Sequence, residues 1–186
     1  MTAETLFKPS AETAPASRHH PEFNQAELTY LATLSERPSD AELLHSLGRL
    51  HVHQKDPTRA IKRLEAALAL APDNSACLND RAIAALMLSD YEGATHWFGQ
   101  AVRCAPDNPR LHCNLGNSMR DAGRREAAIP HFTRALELDP QLLEAALASA
   151  ELLDELRRPH DALTAYQRAL RIAPDDMRDC SVRDRR

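Results

Sequence analysis

The stretch "ALALAPDN" at residues 67–74 returns as "AVRCAPDN" at 101–108, as "ALELDPQL" at 135–142 and as "ALRIAPDD" at 169–176. A fainter copy, "TLSERPSD", stands at 33–40. The prolines of these copies, Pro38, Pro72, Pro106, Pro140 and Pro174, each follow the one before by 34 residues. A proline cannot continue a helix, because it lacks the backbone N–H and its ring strikes the preceding turn. Each copy therefore predicts the same local event, a helix that ends and a chain that turns into the next unit.

With each proline at position 32 of a 34-residue unit, the units start at Ala41, Ser75, Pro109 and Leu143. Position 20 then reads Ala60, Ala94, Ala128 and Ala162, and position 27 reads Ala67, Ala101, Ala135 and Ala169. Position 24 is always large and apolar (Leu64, Phe98, Phe132, Tyr166), and position 8 is always small (Gly48, Ala82, Gly116, Ala150). Within a unit, apolar residues recur at helical spacing in two runs separated by a break near positions 14–17. At the breaks, Asp56 and Asp90 are good helix N-caps, Pro57 suits a first helical position, and Gly123 can take the left-handed conformation that ends a helix. Small residues at 8, 20 and 27 let the two helices approach closely, and the bulky residue at 24 fills the space between them.

These columns resemble the tetratricopeptide repeat family, most clearly in the third unit, "LHCNLGNSMRDAGRREAAIPHFTRALELDP". The family pattern has Leu-Gly at positions 7 and 8 (Leu115, Gly116), Ala at 20 (Ala128), an aromatic at 24 (Phe132) and Pro at 32 (Pro140). The resemblance implies an all-α fold, a right-handed α-solenoid of stacked helix-turn-helix repeats. Four full repeats are expected at 41–74, 75–108, 109–142 and 143–176, preceded by a capping helix at 22–37. Residues 1–21, spoiled for helix by Pro9 and Pro15, read as disordered, and 177–186 as a charged tail. Two positions depart from the pattern: Arg81 and Ser149 stand at position 7, where a buried leucine is expected. Arg81 is expected to lay its stem on apolar surface and reach a carboxylate or solvent. Pro130 should kink a second helix mildly.

Composition narrows the function. Hydrophobic residues at 43% and charged residues at 27% describe a chain able to bury a core. The net charge of -4, with acids interleaved among the arginines, argues against nucleic acid as a partner. The longest apolar run, "AIAALML" at 82–88, is too short for a membrane span. The N-terminus lacks the basic and apolar regions of a signal peptide, so a cytoplasmic location is expected. Cys77, Cys104, Cys113 and Cys180 show no Cys-x-x-Cys spacing and read as free, partly buried thiols.

No catalytic motif is found, so no enzyme activity, cofactor or metal is expected. His51 and His53 are two apart on a helix and cannot share a metal, and the nine histidines read as surface or groove residues.

In the resembled family, peptides touch positions 2, 5, 6, 9, 12 and 13 of each first helix. The candidate groove residues this implies are His45, Arg49, His53, Asn79, Ile83, Met87, Arg110, Asn114, Asn117, Arg120 and Glu151. The wall runs from mixed-basic through apolar (Ile83, Leu86, Met87) to polar and then acidic, and Asn114 and Asn117 are amides able to grip a peptide backbone. The carboxylate clamp of the family's co-chaperones is not matched, and Asp80 would repel its ligand.

The resemblance implies a non-enzymatic adaptor or scaffold whose partner is a protein or peptide. Its alternatives are a chaperone or assembly factor for exported or pilus-type proteins, and the regulatory region of a larger enzyme such as a sulfotransferase or glycosyltransferase. Leu153, Leu156, Leu163, Leu170 and Ile172 are expected to line an open face of the fourth repeat, which either joins two copies as a homodimer or receives a downstream domain.

Overall fold

A computed structural model describes residues 21–173, with the side chains of residues 25–173. The expectations for residues 1–20, for Pro174 and for the 177–186 tail lie outside the described residues. Helix α1 (Pro21–Glu36) is followed by four hairpins: α2 (Ala41–His53) with α3 (Pro57–Leu70), α4 (Ser75–Met87) with α5 (Tyr91–Cys104), α6 (Pro109–Asp121) with α7 (Arg125–Leu138), and α8 (Leu143–Glu155) with α9 (Pro159–Ile172). The first helix of every hairpin begins at position 1 of its unit. No strand is present among the described residues. The chain forms an α-solenoid, as its repeat period requires.

Local chemistry sets the boundaries. Asp40, Asn74 and Asn108, all at position 34, cap the next helix; Asp40 Oδ1 accepts from the Leu43 backbone N–H at 3.0 Å and Asn74 Oδ1 from that of Cys77 at 3.0 Å. Asp56 and Asp90 cap α3 and α5 through Arg59 N and Gly93 N. Position 15 of every unit takes the left-handed conformation, with φ of 59° at Lys55, 59° at Ser89, 78° at Gly123 and 58° at Arg157. The tight reversal inside each hairpin thus occurs at one register position, although only one repeat supplies the glycine that adopts it without strain.

The core follows the columns. The position-20 and position-27 alanines are buried throughout, and Leu64, Phe98 and Phe132 are enclosed between paired helices. Tyr166 is only partly covered, and burial beside Asp154 and Glu151 raises its pKa. Position 8 is a close approach: a Cβ on Gly48 would stand 2.6 Å from Leu64 Cγ. Arg81 behaves as its stem length suggests, bonding Glu65 at 2.9 Å with its guanidinium 5.1 Å from the centre of the Trp97 ring. Pro130 is accommodated within a continuous α7.

The cap helix is tied down by a polar cluster. Glu27 of α1 accepts from Arg59 at 2.7 Å and from Gln54 at 3.4 Å, and Gln54 also accepts from His51 at 3.0 Å. This corrects the surface reading of the histidines, since His51 is buried beside this cluster. His112 is buried too, donating from Nε2 to the Pro106 carbonyl at 2.9 Å and stacking on His131 with ring centres 5.9 Å apart. Leu153 is likewise buried rather than lining an open face, whereas Leu163 (57% exposed) and Leu170 (46%) are open to solvent. Leu156 and Ile172 are half-buried. Cys77 and Cys113 are buried thiols pushed up to about 12 by desolvation, and Cys104 is exposed. Cys180 lies outside the described residues. Among those residues no helix is long and apolar enough to cross a membrane.

Candidate functional site

Two successive pairs of first helices pack together, α2 with α4 and α6 with α8, and a side-chain hydrogen bond from Asn114 to Asn79 links α6 to α4. Successive second helices make no comparable contact. A stack whose first helices converge while its second helices splay is curved, with α2, α4, α6 and α8 on the concave wall. Every candidate groove residue stands on one of these four helices.

The floor of this wall is a chain of hydrogen bonds. His45 Nε2 donates to Asp80 Oδ2 at 2.9 Å, Asn79 Nδ2 donates to Asp80 Oδ1 at 3.2 Å, and Asn114 Nδ2 donates to Asn79 Oδ1 at 2.9 Å. One register rule produces it: position 5 of a repeat meets position 6 of the next, 35 residues on. Applied once more, the rule pairs Cys113 with Ala148, both buried and without a strong polar group, and the chain of bonds stops. An ion pair replaces it there, Arg120 to Glu151 at 3.1 Å, with Asp121 at 3.9 Å on the other side of the guanidinium.

Both oxygens of Asp80 accept from neighbouring side chains. Asn114 likewise spends an amide N–H on Asn79. Asn117 directs its Nδ2 at Cys113 Sγ, 3.8 Å away, and its Oδ1 is buried without a partner. Ile83 and Leu86 pack against the cluster around Phe98, so the apolar part of the wall is partly core.

Arg49, His53, Met87, Arg110 and Glu151 are the exposed candidates, and of these Glu151 is paired with Arg120. Met87 is 37% exposed and continues at the hairpin turn into Leu88 (53%) and Tyr91 (41%), two residues that sequence reasoning passed over. Their signal was available: positions 14 and 17 of the third repeat are Ala122 and Arg125, and only the second repeat places a long aliphatic and an aromatic there together. Glu144 and Asp154 extend the exposed acidic end. Among the described residues, no three His, Cys, Asp or Glu side chains are grouped to hold a metal ion.

The sequence pattern described as "Tetratricopeptide repeat" matches residues 45–109 and 113–176, well over half of the chain. The chain belongs to the tetratricopeptide repeat family. Among curated relatives, this repeat array is 25% identical over 131 residues to anaphase-promoting complex subunit 3 of Schizosaccharomyces pombe, covering 70% of this chain and 20% of that protein. It spans about half or less of the length of the first curated relatives it matches. Among solved structures, MamA superposes with a TM-score of 0.79 at 18% identity, over 84% of this chain and 92% of MamA. YrrB, a tetratricopeptide repeat protein with an unusual peptide-binding site, superposes with a TM-score of 0.74 at 20% identity, over 88% of this chain and 84% of YrrB. At these identities the two structures establish the fold of the array.

Proposed function

We propose that the array is a non-catalytic adaptor that holds an extended protein segment across α2, α4 and α6. The observation that carries this reading is the division of labour on the concave wall. His45, Asp80, Asn79 and Asn114 are bonded to one another along its floor, while Arg49, Met87 and Arg110 remain exposed. A rigid floor costs little ordering entropy when a ligand arrives. Exposed methionine adapts to apolar side chains of varied shape, and the two arginines can take carboxylates in fork geometry. The favoured ligand is therefore an acidic segment with an apolar residue at its centre. The likeness to YrrB supports the choice of a peptide as ligand.

Selection from a displayed peptide library tests it. Peptides enriched on the protein should be acidic with apolar centres, and should be lost on an Arg49→Glu, Arg110→Glu double variant. Equal retention by the variant would refute the reading. The exposed Leu163 and Leu170 favour a second, compatible reading in which α9 pairs with another copy. Sedimentation over a wide concentration range, with Leu163→Glu as control, decides it: a strictly monomeric protein removes that reading.

A further inference from the structure

Position 7 of a repeat faces two second helices, that of the preceding repeat and its own. In the second repeat Arg81 fills this place, between Glu65 at position 25 of α3 and Trp97 at position 23 of α5. In the first and third repeats it is filled by Leu47 and Leu115, both buried. In the fourth repeat all three corresponding residues are small: Ser149, Thr133 and Ala165. The result is an open slot of about 460 Å³ between α7 and α9. It lies on the outer side of the curve, because α7 and α9 are second helices, and is therefore separate from the concave wall.

The slot has an apolar floor, with Leu136 and Ala165 beside Ser149, and a charged rim. Glu137 and Asp161 border it but are occupied, Glu137 by Arg134 at 3.2 Å and Asp161 by Arg158 at 2.7 Å. Thr133 and Thr164 also border it and donate to backbone carbonyls within their own helices. Arg168 and Arg171 differ. Arg168 donates to the Leu136 carbonyl at 2.9 Å, and among the described residues neither guanidinium has a carboxylate partner. Among the described residues the rim thus offers two positive charges without a carboxylate partner, above a space that the fold elsewhere fills with a leucine, or with an arginine stacked on tryptophan.

We propose that this slot docks a protein segment presenting a large apolar side chain beside a carboxylate. The side chain takes the volume vacated at position 7, removing apolar surface from water. The carboxylate bonds Arg171 and the free N–H groups of Arg168, an interaction strengthened by charge on both partners.

The test uses the full chain and the blocked tripeptide Glu-Trp-Glu, with Gln-Trp-Gln as the uncharged control, followed by amide chemical-shift mapping. Glu-Trp-Glu should move the amides of Ser149, Ala165 and Arg168, and Gln-Trp-Gln should bind about tenfold more weakly or less. Ser149→Leu, which restores the residue type of the first and third repeats, should abolish the response and raise the melting temperature. Arg171→Gln, at an exposed side chain, should weaken Glu-Trp-Glu without changing that temperature. The proposal is overturned if the peptide leaves these amides unmoved, if Ser149→Leu responds like the parent, or if both peptides bind equally. Shifts confined to α2, α4 and α6 would also overturn it, while leaving the concave-wall reading intact.

Discussion

Gly116 and Phe132 stand so close that a Cβ on residue 116 would lie 2.9 Å from the Phe132 ring. Two effects of opposite sign meet at such a position. Alanine improves helix propensity by about 1 kcal/mol over glycine. Forcing a methyl into a packed core costs about 1–3 kcal/mol. Here the obstructing atoms belong to a fully buried ring with nowhere to swing, so packing should win. Gly116→Ala is expected to destabilise the array by about 1 kcal/mol or more, measured by denaturant unfolding. Gly99→Ala is the control. Nothing beyond its own stretch of helix backbone lies within 4 Å of the added methyl there, so propensity alone should act and stabilise the protein.

The His112 and His131 stack makes stability depend on pH in a direction that can be worked out. Burial, and secondarily the neighbouring His112, holds the His131 pKa below its ordinary value of 6.5. In the window between that value and the lowered one, the unfolded chain binds more protons than the folded chain. Stability therefore rises with pH across the window. The contribution is fully present above about pH 6.5 and is lost as the pH falls below it. Thermal melts between about pH 5 and 8 should show this decline, and His131→Gln should flatten it. A melting temperature that rises on acidification through the window would contradict the assignment.

Helix capping predicts where the array opens first. The first two repeats cap all their helices with Asp40, Asp56, Asn74 and Asp90. From the third repeat on, α7, α8 and α9 have Arg124, Leu142 and Arg158 at their N-caps, with no side-chain cap bond. Each missing cap forgoes about 1 kcal/mol. The α7–α8 interface is also slimmer than the corresponding α3–α4 and α5–α6 interfaces. Native-state hydrogen exchange should therefore show α8 and α9 opening at lower free energy than α4 and α5. Equal protection in both hairpins would contradict this.

The repeat frame was legible because it rests on backbone chemistry that each residue carries alone. Proline ends a helix wherever it falls, and small residues at fixed spacing permit close packing whatever their neighbours. The cap helix began at Pro21, one residue before the expected start, which reflects proline's suitability for a first turn. The groove was less legible. His45, Asp80, Asn79 and Asn114 were each placed on the concave wall, but a polar side chain chooses between solvent and a partner 35 residues away. That choice depends on the register between repeats, which no single unit displays. The buried histidines escaped for the same reason: His51 bonds Gln54, which in turn reaches Glu27 of α1. Leu153 was read as exposed because the end of the stack was taken to lack cover, whereas it is buried.

The concave-wall account is tested most directly by mapping where a library-selected peptide touches the protein, using amide chemical-shift perturbation. The account predicts the largest shifts on α2, α4 and α6, centred on Arg49, Met87 and Arg110. Largest shifts on α3, α5 and α7, with those three residues unmoved, would contradict it.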